Sequence, residues 1–64
     1  MPFAEITIIE GRPIDKKAAL VERVTEAIVE ALDAPRDAVR VCIREVPADN
    51  WGIAGKTYAE VRGK

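Results

Sequence analysis

The first ten residues alternate. In MPFAEITIIE, Ala4, Ile6 and Ile8 interleave with Phe3, Glu5 and Thr7, the two-residue period of a strand with two distinct faces. Ile9 makes the second face partly apolar as well, and Gly11 ends the run. From Pro13 the period changes. Leu20, Val21, Val24, Ala27, Ile28, Ala31 and Leu32 recur at i, i+3, i+4 spacing and form one stripe of a helix. Pro13 suits the first helical turn, where a missing N–H costs nothing, and Asp15 favours the positive end of the helix dipole. Pro35 stops the helix, because it restricts Ala34 and cannot extend the hydrogen-bond ladder. Alternation returns in AVRVCIREV, where Val39, Val41 and Ile43 interleave with Arg40, Cys42 and Arg44. In PADNWGIAGKTYAEVRGK, Gly52 and Gly55 flank Ile53 and Ala54, which predicts a turn and a small hairpin followed by a frayed tail.

Strand, helix, strand in that order predicts a short β-α-β unit, an α/β (α+β) fold with two parallel strands and a right-handed crossover. One helix covers only one face of such a sheet. The other face and the sheet edges are left for further copies of the chain to hide. Size points the same way. Sixty-four residues form a single domain, residues 1–64, and a chain this short buries only about 60% of its unfolded surface. Cys42 is the only cysteine, so no intrachain disulfide is possible, and with no histidine a zinc site has almost no ligands. Oligomerisation remains as the stabilising device, and a hydrophobic content of 48% suits it.

Net charge is −1, without the basic field of a nucleic-acid binder. No apolar run approaches the roughly 20 residues of a membrane span, and the N-terminus lacks the pattern of a signal peptide. The expectation is a soluble cytoplasmic protein that uses no cofactor and no metal. The glycines form no phosphate-binding motif.

Histidine-based nucleophilic sets are excluded, and Cys42 reads as a small buried hydrophobe rather than a nucleophile. Glu22, Glu26 and Glu30 are spaced as a solvated helix face, and no pair of carboxylates is set up for hydrolysis. What remains is arginine and an N-terminal amine. Pro2 is small enough to permit removal of Met1, which would leave it a free secondary amine. Arg12 follows the first strand and Arg40 opens the second, so a parallel pair puts them at opposite ends of one sheet. Arg12 is also a full strand away from its own Pro2, at about 3.3 Å per residue. A site using all three draws on more than one chain, or folds the strand end back. Taken singly, a surface arginine is most often only solvated, and a lone Trp51 is more often a packing anchor than a site wall.

Together, MP at the start, EGR closing strand one, DAP closing the helix, VRV opening strand two and WGIAGK near the end resemble the 4-oxalocrotonate tautomerase family. The similarity runs over the whole chain. It implies a β-α-β protomer assembled as a trimer of dimers, a homohexamer here, with no nucleic-acid or membrane partner. It implies an isomerase that converts a dienol dicarboxylate such as 2-hydroxymuconate to its 2-oxo form. Pro2 matches the family's catalytic proline. Arg12 matches an arginine that binds one carboxylate and draws electrons toward it. Arg40 matches an arginine, supplied by a neighbouring subunit, that binds the 2-oxo end. Trp51 stands where the family usually has Phe. Ile9 stands where the heterohexameric members among haloacrylate-dehalogenating relatives carry an extra arginine, and it joins Arg12, Arg40 and Trp51 as an implied substrate contact.

The chemistry suits these residue types. Tautomerisation needs one base with a pKa near the working pH. An α-amino group begins near about 7.7–8.0, a secondary amine somewhat higher. An apolar wall and nearby arginines both disfavour its charged form. Two further readings resemble the same superfamily: a broad enol–keto tautomerase of phenylpyruvate-like substrates, and a haloacrylate hydratase or dehalogenase. The latter relies on an added late carboxylate, where this chain has NWGIAG with Ile53 and no acid beyond Asp49. A non-catalytic assembly module is the third, against which the joint presence of Pro2, Arg12 and Arg40 counts.

Overall fold

Element order follows the hydropathy pattern. The structure, a computed structural model, describes residues 1–62. Strand β1 spans Phe3–Ile9, helix α1 Ile14–Leu32 and strand β2 Arg40–Val46. A 3₁₀ turn at Arg36–Ala38 leads into β2, and another at Ala48–Asn50 leads out of it. Short strands β3 (Gly52–Ile53) and β4 (Lys56–Thr57) form a hairpin, and helix α2 (Tyr58–Arg62) follows.

β1 and β2 pair in parallel, with Phe3 opposite Arg40 and Ile9 opposite Val46. The even positions of β1, Ala4, Ile6 and Ile8, are half-buried. Their partners on β2 are Val41, Ile43 and Glu45. Glu45 receives an ion pair from Lys17 of α1 at 3.1 Å, which identifies this face as the one the helix covers. The other face is open. Phe3 is 62% exposed on it, and Glu5, Thr7, Cys42 and Arg44 are exposed beside it. Arg44 reaches diagonally across the ladder to pair with Glu5. Cys42 is therefore not buried within the protomer, contrary to the expectation from its mid-strand position. It lies opposite Glu5 in the register, and alternation turns both away from α1.

The turn into α1 uses Gly11 at φ 130, a backbone state that side chains resist. Pro13 stands as the N-cap, one position before the first helical residue. Asp33, left-handed at φ 57, closes the helix ahead of Pro35. Of the predicted stripe, Leu20, Val24 and Ile28 are half-buried, while Ala27, Ala31 and Leu32 are exposed. Leu32 keeps 64% of its surface in solvent.

The C-terminal stretch holds the hairpin the glycines suggested. Its two turn residues, Ala54 and Gly55, have φ of 52 and 87, the paired positive angles of the turn that matches strand twist. The expected frayed tail is instead helical through Arg62; its last two residues lie outside the described residues. Thr57 and Glu60 cause this. The Thr57 N–H donates to Glu60 Oε1 at 2.9 Å, and the Glu60 N–H donates to Thr57 Oγ1 at 3.2 Å. This reciprocal cap satisfies two donors that a helix start leaves open.

Among the described residues only Val39 and Ala48 are buried apolar side chains. The radius of gyration is 14.9 Å and the principal extents are 45 × 24 × 14 Å. A compact chain of this length would have a radius near about 11 Å. The protomer is a thin slab with an arm, its apolar surface mostly unspent. Among the described residues no helix is long and apolar enough to cross a membrane.

Candidate active site

A cavity of about 310 Å³ opens at the C-terminal end of β1. Three stretches of chain meet there: the end of the strand, the first turns of α1, and the segment after β2. Gly11 makes the tight reversal that brings the helix start back to the strand end. The 3₁₀ turn after β2 then folds Trp51 onto the same spot, with its N–H donating to the Ala48 carbonyl at 3.3 Å. The Tyr58 N–H in turn donates to the Trp51 carbonyl at 2.6 Å, so the start of α2 holds Trp51 from behind.

The lining divides by chemistry. Ile8, Ile9, Leu20 and Trp51 supply apolar walls. Arg12, Lys16 and Lys17 supply cations, and Thr7 adds a hydroxyl. Arg12 Nη1 donates to the Ile9 carbonyl at 3.5 Å, the outer limit of a hydrogen bond, so the guanidinium keeps nearly all its donors for a ligand. Lys17 is spoken for by Glu45. An apolar slot with a cationic end suits a conjugated carboxylate: the walls take the hydrocarbon, and a planar guanidinium receives two oxygens at once.

Of the sequence-predicted residues, Ile9, Arg12 and Trp51 come together in this cavity. Trp51 is thus a wall as well as an anchor. Pro2 and Arg40 do not join them. They lie at the other end of the sheet, where the Arg40 N–H donates to the Pro2 carbonyl at 3.0 Å. The seven residues of β1 separate the two ends, a distance of roughly 20 Å. Arg40 belongs to the open face with Phe3, and its Nη1 donates to the carbonyls of Asp37 at 2.7 Å and Val39 at 3.3 Å. Pro2 is half-buried. One protomer therefore keeps Arg12 and Pro2 at opposite ends of the sheet, as the length of the strand had implied.

Lys16 and Lys17 line the cavity although the pattern did not single them out, and Leu20, a member of the predicted stripe, lines it beside them. Their signal was position: each lies within the first two turns of α1, on the helix end that must pack beside the strand end. A helical wheel does not say which flank of the stripe faces the sheet edge, so neither lysine stands out in the sequence.

The chain matches the family model described as tautomerase enzyme over residues 2–60. It is 52% identical over 61 residues to 2-hydroxymuconate tautomerase from Comamonas testosteroni, covering 95% of this chain and 97% of that protein. Among solved structures it is similar to TomN, a 4-oxalocrotonate tautomerase homologue in the tomaymycin biosynthetic pathway, with 40% identity and a TM-score of 0.96 over 98% of this chain and 97% of that one. It is similar too to a heterohexameric 4-oxalocrotonate tautomerase from Chloroflexus aurantiacus J-10-fl, with 39% identity and a TM-score of 0.92 over 97% of this chain and 100% of that one.

Proposed function

This chain belongs to the tautomerase family and is an isomerase of that type, and from that premise we propose that it converts dienol dicarboxylates such as 2-hydroxymuconate to their 2-oxo forms, with Pro2 as general base once Met1 is removed. The substrate is proposed from the activity named for the Comamonas testosteroni relative. The observation that carries the reading is the cavity at the end of β1, where Arg12 stands among apolar walls that include Trp51 and Ile9.

Turnover requires the Pro2 end and the Arg12 end to meet, so the working site joins copies of the chain. A homohexamer, a trimer of dimers, would bring the Pro2 end of one copy to the Arg12 end of another. Support comes from the thin, open protomer and from the heterohexamer formed by the Chloroflexus aurantiacus relative. In the joined site Arg12 holds one carboxylate and draws electron density toward it. Arg40 of a neighbouring copy holds the 2-oxo end; its bonds to Asp37 and Val39 engage only Nη1, leaving its other donors open. The neutral Pro2 nitrogen takes the proton from the 2-hydroxyl group, the dienolate charge spreads toward the guanidinium groups, and the same nitrogen returns the proton to carbon. No atom is gained or lost.

The test is an ultraviolet assay with 2-hydroxymuconate on protein whose N-terminus has been confirmed by mass. Trimmed protein should turn the substrate over, and protein that keeps Met1, whose Pro2 nitrogen is an amide, should not. Equal rates for the two would refute the role of Pro2.

A further inference from the structure

Two lysines line the cavity, and their circumstances differ. Lys17 is half-buried and paired with Glu45 at 3.1 Å, so its charge is largely cancelled where it stands. Lys16 has no carboxylate within ion-pair distance among the described residues. Its main-chain N–H donates to the Pro13 carbonyl at 3.1 Å, which fixes it in the first turn of α1, just beyond Arg12. Among the described residues Arg12 itself makes one side-chain contact, at 3.5 Å to the Ile9 carbonyl. The cavity thus carries two uncompensated cations, both at the helix-start end, while Ile8, Ile9, Leu20 and Trp51 offer nothing to an anion. Two free cations beside an apolar slot suit a ligand whose hydrocarbon part ends in a full negative charge.

We propose that Lys16 is a specificity-determining residue: it is the second cation on the carboxylate that Arg12 receives, and it sets a preference for dicarboxylate over monocarboxylate dienes. This rests on the reading of the cavity as the substrate site. The ammonium group of Lys16 works as a mobile point charge beside the fixed fork of Arg12. It contacts the remote carboxylate alone, so it strengthens binding of ground state and transition state alike. Its effect therefore falls on KM and leaves kcat in place. Lys16 is solvent-exposed, so its contribution is that of a screened pair and shrinks as salt is raised.

Two unreactive ligands isolate this effect from catalysis. Muconate and sorbate share a six-carbon diene and differ by one carboxylate, and their binding to the trimmed protein can be measured by calorimetry at low salt. The wild type should bind muconate more tightly. Lys16→Gln should weaken muconate binding by roughly three- to fivefold and leave sorbate unchanged, and Lys16→Arg should restore the preference. With 2-hydroxymuconate the same Gln variant should raise KM by the same factor at unchanged kcat. If Lys16→Gln weakens both ligands equally, or neither, the proposal is overturned. If the wild type discriminates as expected and loses that discrimination in Lys16→Gln, yet turns over no dienol, the tautomerase reading of the cavity fails while the assignment of Lys16 as a carboxylate contact stands.

Discussion

The Arg40 N–H donates to the Pro2 carbonyl oxygen at 3.0 Å, extending the parallel ladder one residue beyond Phe3. The bond ties down the residue that removal of Met1 would make the N-terminus. It uses the carbonyl of Pro2 and leaves the ring nitrogen uncommitted. A terminal amine is normally on a frayed end; here it would be held by the strand that follows and by β2.

A base held in this way should titrate as one group. The neutral amine is the active form, so kcat/KM should rise with pH through a single ionisation and then level off. Under the proposed mechanism, proton uptake by Pro2 on the acid side would remove the lone pair that accepts the substrate's proton. A pH–rate profile on 2-hydroxymuconate checks this. A carbon electrophile should label Pro2 selectively in trimmed protein, with peptide mass mapping as the readout. Activity that is flat with pH, or label found elsewhere, would count against the assignment.

Arg12→Ala and Arg40→Gln should each lower kcat/KM by roughly a hundredfold, about 3 kcal/mol of transition-state stabilisation, the scale of removing one partner from a water-excluded charged contact. Both side chains are exposed in the protomer, so circular dichroism and light scattering should show fold and assembly retained. Arg12→Ala should act on the distal carboxylate, and Arg40→Gln mostly on the 2-oxo end. Near-wild-type turnover by either variant would remove that arginine from the site.

The open face should be covered in solution. Phe3, 62% exposed on that face, is too apolar to be left in water when only two apolar side chains are buried among the described residues, and Leu32 at the end of α1 adds a second exposed apolar site at 64%. Light scattering at micromolar concentration should give the mass of six chains. Phe3→Glu, which places a charge on that face, should shift the mass toward smaller species and lower the Tm with it. A stable folded monomer of the wild type would overturn the assembly.

The cap between Thr57 and Glu60 should carry the C-terminal arm. Thr57→Ala removes the acceptor of the Glu60 N–H, which costs about 1 kcal/mol at a helix start. Because α2 holds the Trp51 carbonyl through Tyr58, the loss should also loosen the Trp51 wall. Hydrogen exchange at Tyr58 and Glu60 and the fluorescence of Trp51, the sole tryptophan, should both report it. Unchanged exchange would mean that tertiary contacts alone hold the arm.

What the chain determines by itself is what depends on near neighbours. The alternation of Ala4, Ile6 and Ile8 with Phe3, Glu5 and Thr7 specifies a two-faced strand, and the stripe from Leu20 to Leu32 specifies a helix, because side-chain direction repeats with the backbone period. The separation of Arg12 from its own Pro2 was equally legible, since a strand has a fixed rise and cannot bring its ends together. The Thr57–Glu60 cap is legible too, in the spacing TYAE, where a threonine stands three residues before a glutamate. Tertiary structure decided the rest. Nothing local says that Trp51 folds back onto Ile9, some forty positions earlier; the turn after β2 and the hold on its carbonyl decide that. Nothing local distinguishes Lys16 from Lys17. The difference arises because α1 is rotated so that one meets Glu45 of β2 and the other does not. Cys42 reads as buried along the strand and is exposed in the fold, because one helix can cover only one face of a sheet and Cys42 lies on the other. Periodicity is a property of a few consecutive bonds, whereas which face meets which neighbour is set by loop geometry and by many weak contacts summed over the whole chain.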